Sequence, residues 1–344
     1  MEPNVRFWIS ERQSFVQRFL QWTELLDPTN LIISIEKIEK SRQLLLTGKD
    51  ASRDSVEDQK IQEAWKRSLS TVHPDNSKLI PVLFRPAALL PVAGPLVFYS
   101  LLPAKGMKSM ILPQVAIISV SRLLSLVMRK TKTGCLCLFL QFFLYTYTTA
   151  FNVINGNASY SHRPQESILL GTGVIASSTF FGVIPHLVKM RFSLASYHAR
   201  FLIGRALPVI FLAQVSGMNV LASRSLESVR GIEVMDKDGN VIGHSRRAGE
   251  KAIKETALSR TVLFGTSACI TEVLAYLFRR TQFFLQHPGS LWTVKFSCTI
   301  LAMGLMVPAS FSIFPQMGQI QCSKLEEEIR SATEESELFY NRGV

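Results

Sequence analysis

No acidic residue occurs between Asp75 and Glu166, and this absence governs how the rest of the chain is read. The same stretch carries nine Lys/Arg and several long apolar runs. A basic soluble chain scatters carboxylates among its cations, because mixed signs on a wet surface cost nothing. A basic excess confined to short loops between apolar runs is instead the positive-inside signature of an integral membrane protein. Residues 1–78 hold twelve Lys/Arg and twelve Asp/Glu, so the whole net charge of +12 belongs to the apolar remainder. A hydrophobic content of 47% and a mean hydropathy of +0.19 fit that division.

Other shortages narrow the function. The five cysteines (135, 137, 269, 298, 322) are odd in number and lie mostly inside apolar runs, so no disulfide framework is implied. Cys135 and Cys137 are spaced C-x-C without a nearby His; buried apolar thiols are the default, and a metal pair is the alternative. Neither a metal site nor a cofactor is expected. The chain has no G-x-S-x-G, H-E-x-x-H, P-loop or G-x-G-x-x-G, and Gly171, Gly173, Gly231 and Gly239 stand where they cradle no phosphate. An enzyme is therefore not expected. Basic charge beside apolar runs suits anionic lipid, so the bilayer is the expected partner and nucleic acid is not. No internal repeat is visible, which weakens an inverted-repeat transporter. The opening MEPNVRFWISERQSF has no charged–apolar–small signal pattern, and Glu2 and Glu11 argue against an Arg-rich presequence, so targeting is expected to use internal signals.

The residues that are present fall into three parts. Residues 1–78 form a wet helical region. Ser10 with Gln13 makes a capping box, and Phe15, Phe19, Trp22 and Leu26 line one helix face, which Asp27-Pro28 ends. Ser34 opens a second helix bearing Ile35, Ile38, Leu45 and Leu46. Ile61, Trp65, Leu69 and Val72 stripe a third, ending at His73-Pro74-Asp75. These stripes read as packing faces.

Residues 79–316 read as the membrane domain, each span needing ~20 apolar residues to cross ~30 Å of hydrocarbon. Ile80–Leu102 is Pro-rich, with Arg85 placed to snorkel; Ile168–Val188, Phe201–Ala222, Thr261–Phe278 and Leu291–Phe314 are cleaner. In 111–154, either two segments cross or the first lies in the interface with Arg122 and Arg129 on its wet face; the second reading is preferred. The polar loop 223–259 contains Asp238-Gly239 between short apolar flanks, a hairpin signal, and then a basic helix from Arg246 to Arg260. Residues 317–344 form an acidic, wet tail, expected on the opposite side of the bilayer from 246–260. The fold class is all-α, a polytopic helical bundle of about five spans.

Polar side chains inside spans are the candidate functional residues. Glu272 has three readings: a proton or substrate contact, an ion pair with another helix, or a place near the interface. Asn152 and Asn155 share a face at i, i+3, and Asn219 lies five residues from Gln214, nearly half a turn off its face. Interhelical hydrogen bonding competes with lining a substrate path for each amide.

His73-Pro74-Asp75 invites comparison with J-domain co-chaperones, but KLIPVLFRPAALLPV comes after it where those have a second charged helix. The locally sufficient account is that Pro74 ends the helix and Asp75 caps the next segment. The tripeptide also carries a wider resemblance. Asp27-Pro28-Thr29-Asn30, HPDNSKLIP, Ala150-Phe-Asn152-Val-Ile-Asn155, Leu207-Pro-Val, Gly217-Met-Asn219-Val, GIEVMDKDGNVIGHS (231–245), Phe314-Pro315-Gln316 and Tyr340-Asn-Arg-Gly-Val344 resemble the sideroflexins nearly end to end. The resemblance implies a multi-pass protein of the mitochondrial inner membrane with five spans, amino terminus in the matrix and carboxy terminus in the intermembrane space. It implies an amino-acid carrier fold, serine being the substrate of the main branch. One divergent branch is linked to assembly of respiratory complex I and to iron–sulfur homeostasis, making assembly intermediates or assembly factors possible partners. Two departures stand out. The family's HPDTGE becomes HPD-Asn76-Ser77-Lys78, reversing the last charge, and residues 118–145 have no family counterpart and look inserted. The altered tripeptide context and Glu272, where the family more often has prolines, disfavour serine. Two hypotheses result: a small-amino-acid carrier with Asn152, Asn155, Asn219 and Glu272 on its path, or a scaffold for complex I assembly.

Overall fold

The computed structural model describes residues 3–10, 14–47, 55–102, 133–158, 164–191 and 201–344. Readings that fall on 103–132, including the interfacial helix, lie outside the described residues.

The amino-terminal region comprises α1 (Pro3–Ser10), α2 (Phe15–Leu25), α3 (Ile35–Thr47) and α4 (Ser55–Thr71). A capping box stands at Ser14 and Gln17, where the Ser14 backbone N–H donates to Gln17 Oε1 at 2.8 Å and Ser14 Oγ accepts from Gln17 N; the one expected at Ser10 with Gln13 lies outside the described residues. The chain repeats S-x-x-Q at 10–13 and 14–17, and the second copy directly precedes the apolar stripe. Asp27 ends α2 as expected, its Oδ1 accepting from Thr29 N at 2.9 Å. That bond holds the Asp27 carboxyl below its ordinary value, with Lys66 adding to the effect. The region docks on the bundle: Trp22 is buried edge-on against Phe311 at 5.0 Å, and Arg18 donates to Ser312 O at 3.0 Å.

Among the described residues, four helices are long and apolar enough to cross a membrane: Gln165–Val188, Leu202–Ser223, Arg246–Phe278 and Ser290–Ser312. They correspond to α7 (Pro164–Arg191), a π-turn at Leu202–Ala206 leading into α8 (Leu207–Ser223), α10 (Arg246–Phe278) and α12 (Ser290–Ser312). Two shorter apolar helices join them, Pro86–Ser100 containing α5 (Leu89–Ser100), and Leu138–Ile154 within α6 (Thr133–Ile154). Leu169, Phe180, Leu301 and Leu305 stand exposed on outward faces, where lipid would cover them. Arg85 does not snorkel. It is buried and donates to Asn30 O at 2.8 Å, binding the foot of α5 to the amino-terminal region.

After α8 come α9 (Ser225–Arg230), the hairpin β1 (Ile232–Met235) and β2 (Val241–Ser245), and, between α10 and α12, α11 (Gln282–Gln286). Beyond α12 lie β3 (Met317–Gln321), α13 (Glu327–Ala332) and β4 (Glu337–Asn341). The hairpin turns at Gly239 (φ +77), as Asp238-Gly239 predicts. It is half of a four-stranded antiparallel sheet ordered β2-β1-β4-β3. Ile232, Val234, Ile320, Leu338 and Tyr340 of that sheet pack with Ala248 and Ala252 at the head of α10.

The sheet overturns the expectation that 246–260 and the acidic tail lie on opposite sides, together with the opposed termini that the resemblance implies. Glu326 accepts from Ser245 Oγ at 2.7 Å and from the backbone N–H of Arg246 at 3.0 Å and of Arg247 at 3.2 Å. The tail's acid thus caps the basic helix. Successive apolar helices alternate: α6 ends, α7 begins, α8 ends, α10 begins and α12 ends beside the amino-terminal region. The links there are His73 to Gly156 O at 2.8 Å, Glu166 to Arg230, and Arg18 to Ser312 O. α5 runs the other way, its last turn offering Leu101 O to Lys295 at 3.2 Å. Among the described residues, six alternating helices bring α1 and the residues after β4 to one end of the bundle.

Close approach fixes that end. A Cβ on Gly249 would lie 2.5 Å from the backbone O of Glu227, so α10 touches α9 main chain to main chain. Gly249→Ala is expected to lower stability by about 1–3 kcal/mol through overpacking. Thermal unfolding of the purified full chain checks this, with Gly171→Ala as control because nothing lies within 4 Å of a Cβ there.

Candidate functional site

α6 positions the site. Gln141, Tyr145, Thr148 and Asn152 recur along it, and Asn155 follows one residue past its end, at intervals of four, three, four and three residues, and all five are buried. That spacing puts them on one helix face, in a line ~21 Å long at 1.5 Å per residue. In an otherwise apolar helix, an inward polar line requires polar neighbours along its whole length. Three cavities adjoin it. Gln141 and Tyr145 line one with His186 of α7, Thr148 and Asn152 line the middle one, and Asn155 lines a third with His73 and Gln316.

At the middle of the line the sequence-predicted amides meet. Asn152 Nδ2 donates to Asn219 Oδ1 at 3.0 Å, and Asn219 Nδ2 donates to Thr149 Oγ1 at 2.8 Å and Ser178 Oγ at 3.1 Å. This network joins α6, α7 and α8, and Gln214 is exposed, outside it. Arg260 of α10 faces the same place, its Nε donating to Asn152 Oδ1 at 3.5 Å. Its guanidinium lies 4.7 Å from the ring centre of Phe311 and 5.4 Å from that of Phe151. Arg260 is buried, and its Nη1 and Nη2 make no hydrogen bond among the described residues.

Asn155 lies one turn nearer the shared end. Its Nδ2 donates to Phe84 O at 2.8 Å, and its carbonyl accepts from Val344 N at 3.0 Å. His73, Pro74 and Asp75 gather there. His73 Nδ1 accepts from Asp75 N at 3.2 Å, so Nε2 carries the proton and donates to Gly156 O. Asp75 accepts from Asn341 Nδ2 at 2.6 Å and from Ala158 N at 3.0 Å. Asn341 Oδ1 in turn accepts from Gln316 Nε2 at 3.0 Å and from Gly343 N at 3.1 Å. The tripeptide is therefore a clamp joining α4, the α6–α7 turn and the end of β4.

Charge is concentrated at the same end. Arg224 and Glu227 form a buried two-bonded pair, Nε–Oε1 and Nη2–Oε2 both at 2.7 Å. Burial draws the Arg342 guanidinium down to about 10, leaving it protonated at neutral pH. Burial, together with the neighbouring Glu255, pushes the Tyr340 phenol above its ordinary value.

Glu272 joins none of this. It pairs with Lys295 of α12 near the far end, and Lys295 also donates to Leu101 O. Of its three readings, the structure displays the ion pair. No group of three or more His, Cys, Asp or Glu placed to hold a metal occurs among the described residues, and the Cys135 and Cys137 side chains lie outside them.

Sequence reasoning misses Arg260, Gln141, Tyr145, Thr148 and Ser216. In the sequence Arg260 is the last residue of a basic helix. Its signal is the small-residue face Gly249, Ala252, Thr256, Ser259 and Arg260, which the structure buries. The α6 line is equally available as a period.

A family model described as Sideroflexins matches residues 3–134 and 121–344. The chain is 66% identical over 344 residues to "Sideroflexin-4" of Bos taurus, covering all of both chains. It is 61% identical to "Sideroflexin-4" of Homo sapiens, over all of this chain and 93% of that one. It is 27% identical to "Sideroflexin-5" of Homo sapiens, over 97% of this chain and 91% of that one. No solved structure matches.

Proposed function

The chain belongs to the sideroflexin family, and from that premise we propose that it is a carrier-like protein of the mitochondrial inner membrane that passes a small amino acid. Serine is disfavoured as its main cargo, and the consequence of its activity is support of complex I assembly and iron–sulfur homeostasis. The observation that carries the carrier reading is the buried polar line of α6 with a cavity beside each part of it. A bundle that only needs to hold together has no use for five buried polar side chains in one line, beside the buried Leu140, Leu144 and Phe151 that already pack the helix. A solute crossing hydrocarbon needs replacements for its hydration at each stage. The Asn152–Asn219 amide pair sits where helices must part for a solute to pass, and its bonds can be exchanged for bonds to cargo.

A scaffold is the second reading. Val16, Leu20, Ile32 and Ile35 are exposed in the amino-terminal region, and exposed apolar side chains outside the spans suit a protein partner.

The test uses cells lacking the protein, re-expressing either the native chain or Asn152→Ala/Asn219→Ala at equal abundance, with complex I abundance as readout. The carrier reading expects recovery with the native chain alone. Equal recovery with both removes transport past the amide pair from the account and leaves the scaffold.

A further inference from the structure

We propose that Arg260 is the residue that receives a carboxylate in the middle cavity, so that the solute recognised there is a small carboxylate-bearing molecule. This deepens the carrier reading and rests on it.

A buried guanidinium without an ionic partner is costly, several kcal/mol even after relaxation. The protein offsets part of that with one long bond to Asn152 and two aromatic faces. The two terminal nitrogens, which carry four of the five N–H groups, stay unbonded among the described residues. Arg260 borders a cavity whose lining also includes Leu89, Thr148, Phe151, Asn152, Ser216 and Phe264. The geometry left open is the fork that takes a carboxylate through two parallel bonds.

Charge balance agrees. Arg224 is paired with Glu227, while Glu255 bonds Tyr340 and faces Lys251 and Arg342. Among the described residues no acidic side chain lines the middle cavity, so an anion entering it neutralises Arg260. The hydroxyl protons are already committed: Thr148 Oγ1 donates to Leu144 O at 3.0 Å and Ser216 Oγ to Leu212 O at 2.6 Å. Their lone pairs remain as acceptors at the cavity wall, suited to an ammonium on the same ligand. The cavity admits little more than a water-sized group, so an amino acid enters only as the helices around it separate.

The test is ligand-dependent thermal unfolding of the purified full chain at matched ionic strength, with glycine, acetate and ethylammonium as probes. The inference expects saturable stabilisation by glycine or acetate and none by ethylammonium. Glycine alone acting identifies a zwitterion site, and both acting identifies a general carboxylate site. Arg260→Gln should weaken that stabilisation roughly tenfold or more, Arg260→Lys less. If Arg260→Gln does not fold, Ser216→Val decides, because it narrows the same cavity and leaves the guanidinium in place. Unchanged stabilisation in either variant, or no response of the native chain to any carboxylate, overturns the inference. Vesicle uptake separates this from the carrier reading. Native uptake with the same KM in Arg260→Gln sinks the role of Arg260 and spares the carrier, whereas carboxylate binding without uptake does the reverse.

Discussion

Glu227→Ala is expected to destabilise the protein by about 3–5 kcal/mol, the range for removing one partner of a buried ion pair. Arg224 and Glu227 are almost wholly buried and bonded through both carboxylate oxygens. Glu227 also accepts from Asn157 N at 3.2 Å, and Arg224 reaches Arg342 O at 2.7 Å and Thr256 Oγ1 at 3.2 Å. One pair thus joins the α6–α7 turn, the end of α8, α10 and the residues after β4. Removing the carboxylate leaves a guanidinium with no compensating charge, and that residual charge, more than the lost bonds, sets the cost. Arg224→Met/Glu227→Leu should therefore be more stable than Glu227→Ala alone. Thermal unfolding of all three forms decides the matter. A double variant no better than the single one would show that the bonds, and not the stranded charge, dominate. Glu250→Ala is the control and should give no measurable change, since its pair with Lys254 is exposed.

The second large effect is expected at the other end of the bundle. Glu272→Gln should cost about 3–5 kcal/mol. Lys295, with only 4% of its side chain exposed, would keep its bond to Leu101 O and lose its counter-charge. Lys295→Met should be comparably harmful, because it strands Glu272. In the double-mutant cycle the two losses should overlap by about 1.5 kcal/mol or more. Strict additivity would mean the two side chains stabilise independently and the far end is held by other contacts.

The pattern of loss and recovery in these two cycles also bears on how much the sequence could disclose. The apolar runs are legible because each needs length and composition alone, and four of the expected spans appear as helices that satisfy both. Asp27-Pro28 and Asp238-Gly239 act locally and can be read locally. The sheet cannot. MGQIQ and ELFYN are short, they flank an acid-rich segment, and the sheet forms only because ELFYN pairs with MGQIQ on one side and with β1, about a hundred residues earlier, on the other. The side of the membrane obeys the same logic. Parity is counted from spans, and with the short α5 and α6 both crossing beside the four long helices the count is six, even where the expected five is odd.

At the site, Asn152 and Asn219 can be found because amides in spans stand out, yet that they bond to each other is a tertiary fact. Glu272 stands out equally and belongs elsewhere, since sequence does not say that Lys295 faces it. Arg260 is hidden by its neighbours. In a run with Arg246, Arg247, Lys251 and Lys254, one further cation reads as another solvated charge, and only the packing of α10 against α8 and α12 turns it inward.

The carrier reading stands or falls on whether a small amino acid passes along the polar line of α6. The direct measurement is uptake of labelled glycine and alanine into vesicles containing the purified chain, beside vesicles containing Asn152→Ala/Asn219→Ala whose folding has been checked by thermal unfolding. A carrier gives saturable uptake by the native chain above protein-free vesicles, and loses it in the folded variant. Uptake no greater than in protein-free vesicles, or undiminished in the variant, would contradict it.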